Sequence, residues 1–159
     1  MTQPEFIGKI NQAYQEAVHR GTRLNQAVVI AQAALESDWG NSVLAQKANN
    51  LFSIKAGAYW TGKTLEMSTT EWNPTFGWYP AKAIWRSYPS WTDCILDYGA
   101  IIAGLPWYQD ALSNLDDPRS FLKALLPNGA ELGWATDPGY YDKVLRIAKQ
   151  LEDFGGPKW

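Results

Sequence analysis

At the centre of the predicted fold lies the stretch Gln32-Ala33-Ala34-Leu35-Glu36-Ser37-Asp38-Trp39-Gly40. Apolar residues recur at helical spacing up to it, which predicts a helix from Leu24 to Glu36. The C-terminus of a helix disfavours an ionised carboxylate, and desolvation by apolar neighbours would raise the pKa of Glu36 further. A carboxyl group that keeps its proton near neutral pH can act as a general acid. The alternative is a solvated surface glutamate at a helix end.

The composition indicates one globular domain spanning residues 1–159. Hydrophobic residues make up 46% of the chain and charged residues 19%, which is unlike a disordered sequence. A net charge of −2 offers no electrostatic case for nucleic acid or an anionic membrane surface. The sequence has no run of 18 apolar residues that would span a membrane. The aromatic content is high, with 9 Trp and 8 Tyr, and amphipathic rings suit a groove that binds flat, hydroxylated ligands such as sugars.

Cysteine and histidine usage argues against thiol and metal chemistry. Cys94 is the single cysteine, and it falls within an apolar helical pattern typical of an inert core thiol. His19 is the single histidine, on the first predicted helix. A catalytic Cys–His pair is not favoured by this pattern, and a zinc site would lack ligands. We therefore expect no metal and no cofactor.

Capping residues and periodicity predict several further helices. The first contains Pro4 in its first turn and ends at Gly21, with an inner stripe at Phe6, Ile10, Tyr14 and Val18. A short turn covers Ser42 to Ala48, and a capping box at Ser90-Trp91-Thr92-Asp93 begins another helix that closes at Gly104. Asp117-Pro118 and Asp137-Pro138 each predict an N-cap followed by a first turn, the former opening a helix through Leu126.

Between the helices, one segment has the pattern of a β-hairpin. Residues 64–72 alternate and are rich in Thr, turn residues follow at 73–77, and a returning strand is predicted from Ala81 to Tyr88, bounded by Pro80 and Pro89. The predicted class is therefore α+β and mostly helical, with a small hairpin lobe on a helical body.

Glycoside hydrolysis usually uses two carboxyl groups that flank the scissile bond. Glu36 is the candidate acid, and the hairpin offers Glu66 and Glu71 as the second group. The two are five residues apart, so in an unbroken strand they point to opposite faces and only one can face Glu36. Glu71, which lies near the turn, could face the cleft or be a solvated hairpin residue.

Collinear motifs from about residue 28 to 148 resemble the peptidoglycan N-acetylglucosaminidases of glycoside hydrolase family 73. The similar pieces are Ala34-Leu35-Glu36-Ser37-Asp38-Trp39-Gly40, Asn50-Leu51-Phe52-Ser53-Ile54-Lys55, Trp60-Thr61-Gly62-Lys63, Thr69-Thr70-Glu71-Trp72, Arg86-Ser87-Tyr88, Asp97-Tyr98 and Gly133-Trp134-Ala135-Thr136-Asp137-Pro138, followed by Tyr140 and Lys143.

The resemblance implies a lysozyme-like helical domain that cleaves the β-1,4 bond after N-acetylglucosamine in peptidoglycan glycan strands. It implies Glu36 as the general acid, Glu71 as the second carboxylate and Tyr140 near the reacting centre. A water activated by Glu71 and assistance from the substrate's N-acetyl group both remain open. The candidate substrate-binding residues are Asp38, Trp39, Asn50, Phe52, Trp72 and Trp134. The Asn50 amide could instead satisfy backbone groups, and Phe52 could form the cleft floor or part of the core.

Some residues depart from the family pattern. Asp38 stands at a position that is frequently Gly, and its charge would raise the pKa of Glu36 if the two were close. Ser53 also replaces a Gly, so a positive φ at this residue would be strained. Trp72 and Trp134 replace Tyr and remove hydroxyls that could bind sugar.

The N-terminus has no basic region followed by an apolar run, so no secretory signal is expected. A wall hydrolase made in the cytoplasm would then act in the periplasm or wall of a target cell as an injected antibacterial effector or a phage lysin, or be a fragment of an exported protein. An injected toxin implies a cognate immunity protein. The alternatives are a lytic transglycosylase or muramidase, or a non-catalytic wall-binding module.

Overall fold

The computed structural model describes residues 1–73, 75, 77–127 and 133–159, and it describes the side chains of these residues except those of 69–73 and 78. In chain order the elements are α1 (Gln3–His19), α2 (Gln26–Ser37), α3 (Val43–Ala48), β1 (Thr64–Asn73), β2 (Gly77–Arg86), α4 (Trp91–Gly104), a 3₁₀ turn (Pro106–Tyr108), α5 (Gln109–Leu112), α6 (Pro118–Ala124) and α7 (Tyr140–Asp153). The predicted class, a mostly helical domain with a small hairpin, is confirmed.

Helix α1 begins with a complete capping box between Thr2 and Glu5. Phe6, Ile10 and Tyr14 are buried as predicted, but Val18 is 38% exposed and Ala17 completes the buried stripe. A strict spacing of four residues drifts about 40° per step around a helix of 3.6 residues per turn. The prediction for Val18 was wrong because three such steps rotate its side chain away from the core.

Helix α2 is the central element and is buried on almost every side. The Asn25 side chain caps its N-terminus by accepting a hydrogen bond from the Val28 amide. Its small and β-branched residues are in contact with α1, α6 and α7. The helix ends at Ser37, and Asp38 and Trp39 both have left-handed backbone (φ 50° and 53°), which turns the chain sharply. Glu36 therefore lies in the last turn of a helix whose position is fixed by the core.

The two strands pair in antiparallel register from Thr64 opposite Arg86 to Asn73 opposite Gly77. Pro80 lies inside β2, opposite Thr70, and does not bound the strand as predicted. A two-stranded sheet has only edge strands, so a residue without an amide hydrogen is tolerated where that position faces away from the partner strand.

The base of the hairpin is held against the helical body by polar contacts. Arg86 donates to both carboxylate oxygens of Asp97 on α4, at 3.0 and 2.8 Å, and the Tyr88 hydroxyl donates to Asp97 at 2.6 Å. The segment 54–56 pairs with β2 through Ala56 N to Ile84 O (2.9 Å) and Arg86 N to Ile54 O (3.0 Å). This pairing places residue 53 beside the end of α2.

The last helices differ from prediction at their ends. Helix α6 is capped by Asp117 as predicted but ends at Ala124, two residues earlier than expected. Helix α7 begins at Tyr140 with Gly139 as the N-cap, so Asp137 is not the cap. Its side chain instead accepts from the Gly139 amide and pairs with Lys143. No helix in the described part of the chain is long and apolar enough to span a membrane.

Candidate active site

Glu36 opens onto a pocket of about 320 Å³ at the C-terminal end of α2. The lining residues are Glu36, Phe52, Ser53, Ile54, Ile101, Tyr108 and Trp134. A larger groove of about 540 Å³ lies between α1 and the start of α4, but Glu36 does not line it. The pocket beside Glu36 combines a partly buried carboxyl group with aromatic walls, which is the composition expected of a site for a polar ligand with apolar faces.

Burial raises the pKa of the Glu36 carboxyl above its ordinary value of 4.5. The cause is desolvation, which disfavours the charged form. Hydrogen bonds from the Tyr140 and Ser53 side chains lower the pKa and oppose this effect in part. The predicted direction of the shift is confirmed, and desolvation is its largest cause.

Tyr140, on α7, contacts Glu36 through its hydroxyl group. Its hydroxyl lies 2.9 Å from Glu36 Oε1, and the Gln32 amide nitrogen donates to the same hydroxyl at 3.1 Å. Burial raises the pKa of the Tyr140 phenol, and the neighbouring Glu36 charge raises it further. The phenol therefore stays protonated and acts as a hydrogen-bond donor to Glu36.

Ser53 lies on the pocket wall with a left-handed backbone, at φ 54°. The sequence indicated that any positive φ at this non-glycine residue would be strained, and the structure has such a φ there. The local fold accommodates it because the Asn50 side chain clamps the loop, accepting from Ile54 N at 3.0 Å and donating to Ile54 O at 2.9 Å.

Aromatic rings form the floor and one wall of the pocket. Phe52 is buried and stacks on Tyr98, with ring centroids 4.4 Å apart. Trp134 meets both rings edge-on, at 6.4 Å from Phe52 and 4.7 Å from Tyr98. The Trp134 backbone is held by a 2.7 Å hydrogen bond to Leu125 O. Phe52 and Trp134 thus line the pocket beside Glu36, and their role in substrate binding stays a prediction.

Three candidate substrate-binding residues lie elsewhere in the structure. Trp39 is buried in the core, where its ring packs edge-on against Phe6 (5.7 Å) and Phe154 (6.4 Å). Asn50 is 1% exposed, and its side-chain amide donates hydrogen bonds to the backbone oxygens of Ile54 and Arg86. Asp38 is exposed at the C-cap of α2 and is not among the causes of the Glu36 shift. Core packing accounts for Trp39, and backbone hydrogen bonds account for Asn50, in line with the structural alternative given for it, while a binding role for Asp38 stays a prediction.

The hairpin candidates are only partly described. Glu71 and Trp72 belong to β1 and pair with Tyr79 and Trp78 through the backbone, but their side chains lie outside the described residues. Glu66 forms a 2.8 Å ion pair with Lys82, and both side chains are mainly exposed. The structure thus gives Glu66 a surface partner, and the role of Glu71 stays a prediction.

Cys94 is fully buried and accepts a hydrogen bond from the Leu51 amide at 3.3 Å. Burial raises the pKa of its thiol to about 12, and the predicted core position is confirmed. Among the described residues, no group of three His, Cys, Asp or Glu side chains is placed to hold a metal ion.

Sequence reasoning assigned no role to Gln32, Tyr98, Ile101 or Tyr108, which lie in the pocket wall or directly behind it. Gln32 carried a usable signal, because it is the single polar side chain between Ala27 and Leu35 in an otherwise apolar helix. A polar group at such a position is buried and needs a partner. For the other three residues the helical pattern alone does not distinguish the core from the pocket wall.

The family profile described as "Mannosyl-glycoprotein endo-beta-N-acetylglucosaminidase" (Glucosaminidase) matches residues 11–153. The chain belongs to the glucosaminidase family. This glucosaminidase domain is 35% identical over 156 residues to the peptidoglycan hydrolase FlgJ of Pseudomonas aeruginosa, covering 94% of this chain and 37% of the relative. The family resemblance, and with it the glycoside hydrolase class, is confirmed. The chain spans less than half the length of this relative.

Solved structures agree with this membership. The catalytic domain of the autolysin Auto from Listeria monocytogenes is 29% identical, with a TM-score of 0.75 over 98% of this chain and 86% of that one. A protein in a type VI secretion effector–immunity complex from Pseudomonas protegens is 20% identical, with a TM-score of 0.59 over 96% of this chain and 92% of that one. The second likeness shows a shared fold only.

Proposed function

We propose that this glucosaminidase domain hydrolyses peptidoglycan by cleaving the β-1,4 bond after N-acetylglucosamine, with Glu36 as the general acid. The observation that carries the proposal is the partly buried Glu36 carboxyl, whose pKa is raised by burial and which opens onto an aromatic-lined pocket. Family membership and the name of the P. aeruginosa relative, a peptidoglycan hydrolase, support the substrate class.

In the proposed reaction, protonated Glu36 donates its proton to the glycosidic oxygen as the bond from the sugar C1 to that oxygen breaks. Water then adds to C1 and gives up one proton to a base, which later releases it to solvent, and Glu36 recovers a proton from solvent. The Tyr140 hydroxyl, 2.9 Å from Glu36 Oε1, stabilises the carboxylate that forms when the proton leaves. Glu36 is thus protonated before the step by burial and supported after it by a hydrogen bond.

For the second group, we propose that Glu71 on the hairpin activates the attacking water. The argument comes from the strand pattern and the family resemblance, with Glu66 engaged by Lys82 on the surface. Direct assistance by the substrate's N-acetyl group is the competing route, and it needs no second carboxylate.

Phe52 and Trp134 supply flat apolar surfaces next to Glu36. Rings of this kind pack against the apolar faces of sugars, while hydroxyl groups at the rim form hydrogen bonds. We propose that Trp134, which is partly exposed at the pocket, contacts the sugar ring directly. Phe52, at 2% exposure, supports it from below as the pocket floor.

We further propose that the domain acts on the wall of a target cell as an antibacterial effector or lysin, with an immunity protein that covers the pocket in the effector case. The support is a compatible fold, shared with the P. protegens protein from an effector–immunity complex. Expression directed to the periplasm should lyse bacterial cells, whereas cytoplasmic expression should not. Equal tolerance of both would contradict the toxic role.

The decisive experiment is digestion of purified peptidoglycan followed by mass spectrometry of the products. We expect new reducing N-acetylglucosamine ends from the wild-type domain and none from Glu36→Gln, which retains the shape of the side chain but carries no transferable proton. Reducing muramic acid ends would indicate a muramidase, and anhydro-muramic ends a lytic transglycosylase. Binding to intact glycan without cleavage would indicate a wall-binding module.

A further inference from the structure

A continuous chain of hydrogen bonds runs from the core to Glu36. The Tyr98 hydroxyl donates to Gln32 Oε1 at 2.6 Å, and Gln32 Nε2 donates to the Tyr140 hydroxyl at 3.1 Å. The Tyr140 hydroxyl donates to Glu36 Oε1 at 2.9 Å. Three elements contribute, since Gln32 and Glu36 lie on α2, Tyr98 on α4 and Tyr140 on α7.

All of the supporting groups are buried. Tyr98 and Gln32 have no exposed surface and Tyr140 is 5% exposed. Gln32 and Glu36 are four residues apart, so one turn of α2 places both side chains on the same face. Burying a polar amide without partners is costly, and Gln32 has both its acceptor and a donor engaged in this chain.

The chain has one favourable direction. Its first donor is the Tyr98 hydroxyl, carried on a ring that packs against Phe52 and Trp134. If the Gln32 amide were turned over, its nitrogen would donate to Tyr98, and the Tyr98 hydroxyl would lose the acceptor of its own proton. An unsatisfied buried donor costs about 1–3 kcal/mol. In the favourable direction, Tyr140 therefore donates its hydrogen bond to Glu36.

We propose that Gln32 and Tyr98 are positioning residues that make Tyr140 a one-way donor to Glu36 Oε1, so that the transferable proton of Glu36 resides on Oε2. The proposal rests on the proposed function of Glu36 as the acid. Because Oε1 of Glu36 accepts a hydrogen bond from Tyr140, the carboxyl proton is held on Oε2. The chain thus selects which oxygen delivers the proton and supports the carboxylate that remains.

Apart from burial and the hydrogen bond from Ser53, few other described groups contribute to the titration of Glu36. Among the described residues, the titratable groups around Glu36 are Tyr140 from α7, which contacts it, Tyr108 from the 3₁₀ turn, which lines its pocket, and Tyr98 from α4, which interacts with it electrostatically. Burial raises the pKa of each phenol above 10.0, so all three remain neutral where a carboxyl group titrates. A change in the Glu36 titration on altering Gln32 or Tyr98 therefore reports the hydrogen-bonded chain.

The test uses Gln32→Met, which keeps the volume but cannot donate, and Tyr98→Phe, which removes only the first hydroxyl. The matched control is Tyr14→Phe, because Tyr14 is also buried and donates to a backbone carbonyl (Leu24 O, 2.7 Å) outside this chain. The Glu36 carboxyl is titrated by ¹³C NMR in glutamate-labelled protein, with Glu36→Gln to assign the signal. The rate of peptidoglycan hydrolysis is measured as a function of pH in parallel.

We expect Gln32→Met to raise the pKa of Glu36 by about 0.5–1 unit, because the carboxylate loses part of a charge-assisted hydrogen bond. Tyr98→Phe should shift it in the same direction by less, and Tyr14→Phe should leave it unchanged. In the rate profile the alkaline limb should move to higher pH for the first two variants only. A folded Gln32→Met or Tyr98→Phe protein that titrates like the wild type would overturn the proposal.

The test does not depend on a single variant or on enzymatic turnover. If Gln32→Met does not fold, Tyr98→Phe carries the test, since it removes a single oxygen from the core. The NMR titration does not depend on turnover. A wild-type domain that releases no reducing N-acetylglucosamine ends would therefore contradict the proposed function, while the carboxyl titration would still support or overturn the positioning role.

Discussion

The Tyr140 hydroxyl donates a 2.9 Å hydrogen bond to Glu36 Oε1 across 104 residues of sequence. It joins the first residue of α7 to the last turn of α2, two helices that pack against each other in the core. The contact links the packing of α7 on α2 to the protonation of the candidate acid.

Replacing Tyr140 by Phe should raise the pKa of Glu36, because the carboxylate loses a hydrogen bond that lowers it. The alkaline limb of the hydrolysis rate should move to higher pH and the rate at the optimum should fall. The Gln32 amide also loses its acceptor, which should cost about 1–3 kcal/mol of stability. Tyr141→Phe, on the next residue of α7, is the control and should change neither the pH profile nor the melting temperature appreciably.

The raised pKa of Glu36 predicts how stability depends on pH. A carboxyl whose pKa is higher in the folded state than its unfolded value of 4.5 stabilises the fold, and this contribution is fully present below pH 4.5. This contribution is lost as the pH rises through the folded pKa, since the buried group must ionise. Glu36→Gln should therefore be more stable than the wild type at pH 7, and the difference should shrink towards pH 4. Urea unfolding across this range measures it, and a constant difference would contradict the raised pKa.

Ser53→Gly should have two separable effects. Glycine tolerates the left-handed backbone at φ 54°, so stability should rise by about 1 kcal/mol. Loss of the hydroxyl should raise the pKa of Glu36 and shift the alkaline limb upward. Asp38→Gly makes the same backbone change at φ 50° with an exposed side chain, and it should give a stability gain without the pH shift. A shifted limb in Asp38→Gly would indicate that Asp38 acts on Glu36.

Glu71→Gln and Glu66→Gln separate the two hairpin carboxylates. If Glu71 activates water, its replacement should lower the hydrolysis rate at least ~100-fold, within the range for a general base. Glu66→Gln removes one partner of a solvent-exposed ion pair with Lys82, which contributes little, and should leave the rate nearly unchanged. A small effect of Glu71→Gln on a folded protein would favour assistance by the substrate's N-acetyl group.

Trp134→Ala should weaken substrate binding more than it slows the chemical step. A ring that packs on a sugar contributes about 0.5–1.5 kcal/mol, so KM for soluble peptidoglycan fragments should rise up to about tenfold with a smaller change in kcat. Tyr59→Ala is the control, because Tyr59 is 99% exposed and does not line the Glu36 pocket. If both variants bind fragments like the wild type, Trp134 is only a packing residue.

Short-range interactions made much of this domain predictable from its sequence. The capping box at Thr2, the N-cap at Ser90, the periodicity of α2 and the alternation in β1 each depend on residues within one or two turns or strands. The position of Glu36 in the last turn of a buried helix follows from the same local rules. Local reasoning was wrong at Val18, where the rotation around the helix turns the side chain away from the core. It was also wrong at Pro80, which an edge strand tolerates.

The tertiary structure alone decided which side chains meet Glu36. Tyr140, Ser53 and the buried Gln32–Tyr98 pair reach it because α7, the Asn50-clamped loop and α4 pack around the end of α2. The same packing draws Trp39 into the core, although it lies three residues from Glu36 in the sequence. Desolvation and hydrogen-bond partners depend on these distant elements, so the sequence by itself determined where the candidate acid lies, and the fold determined its protonation.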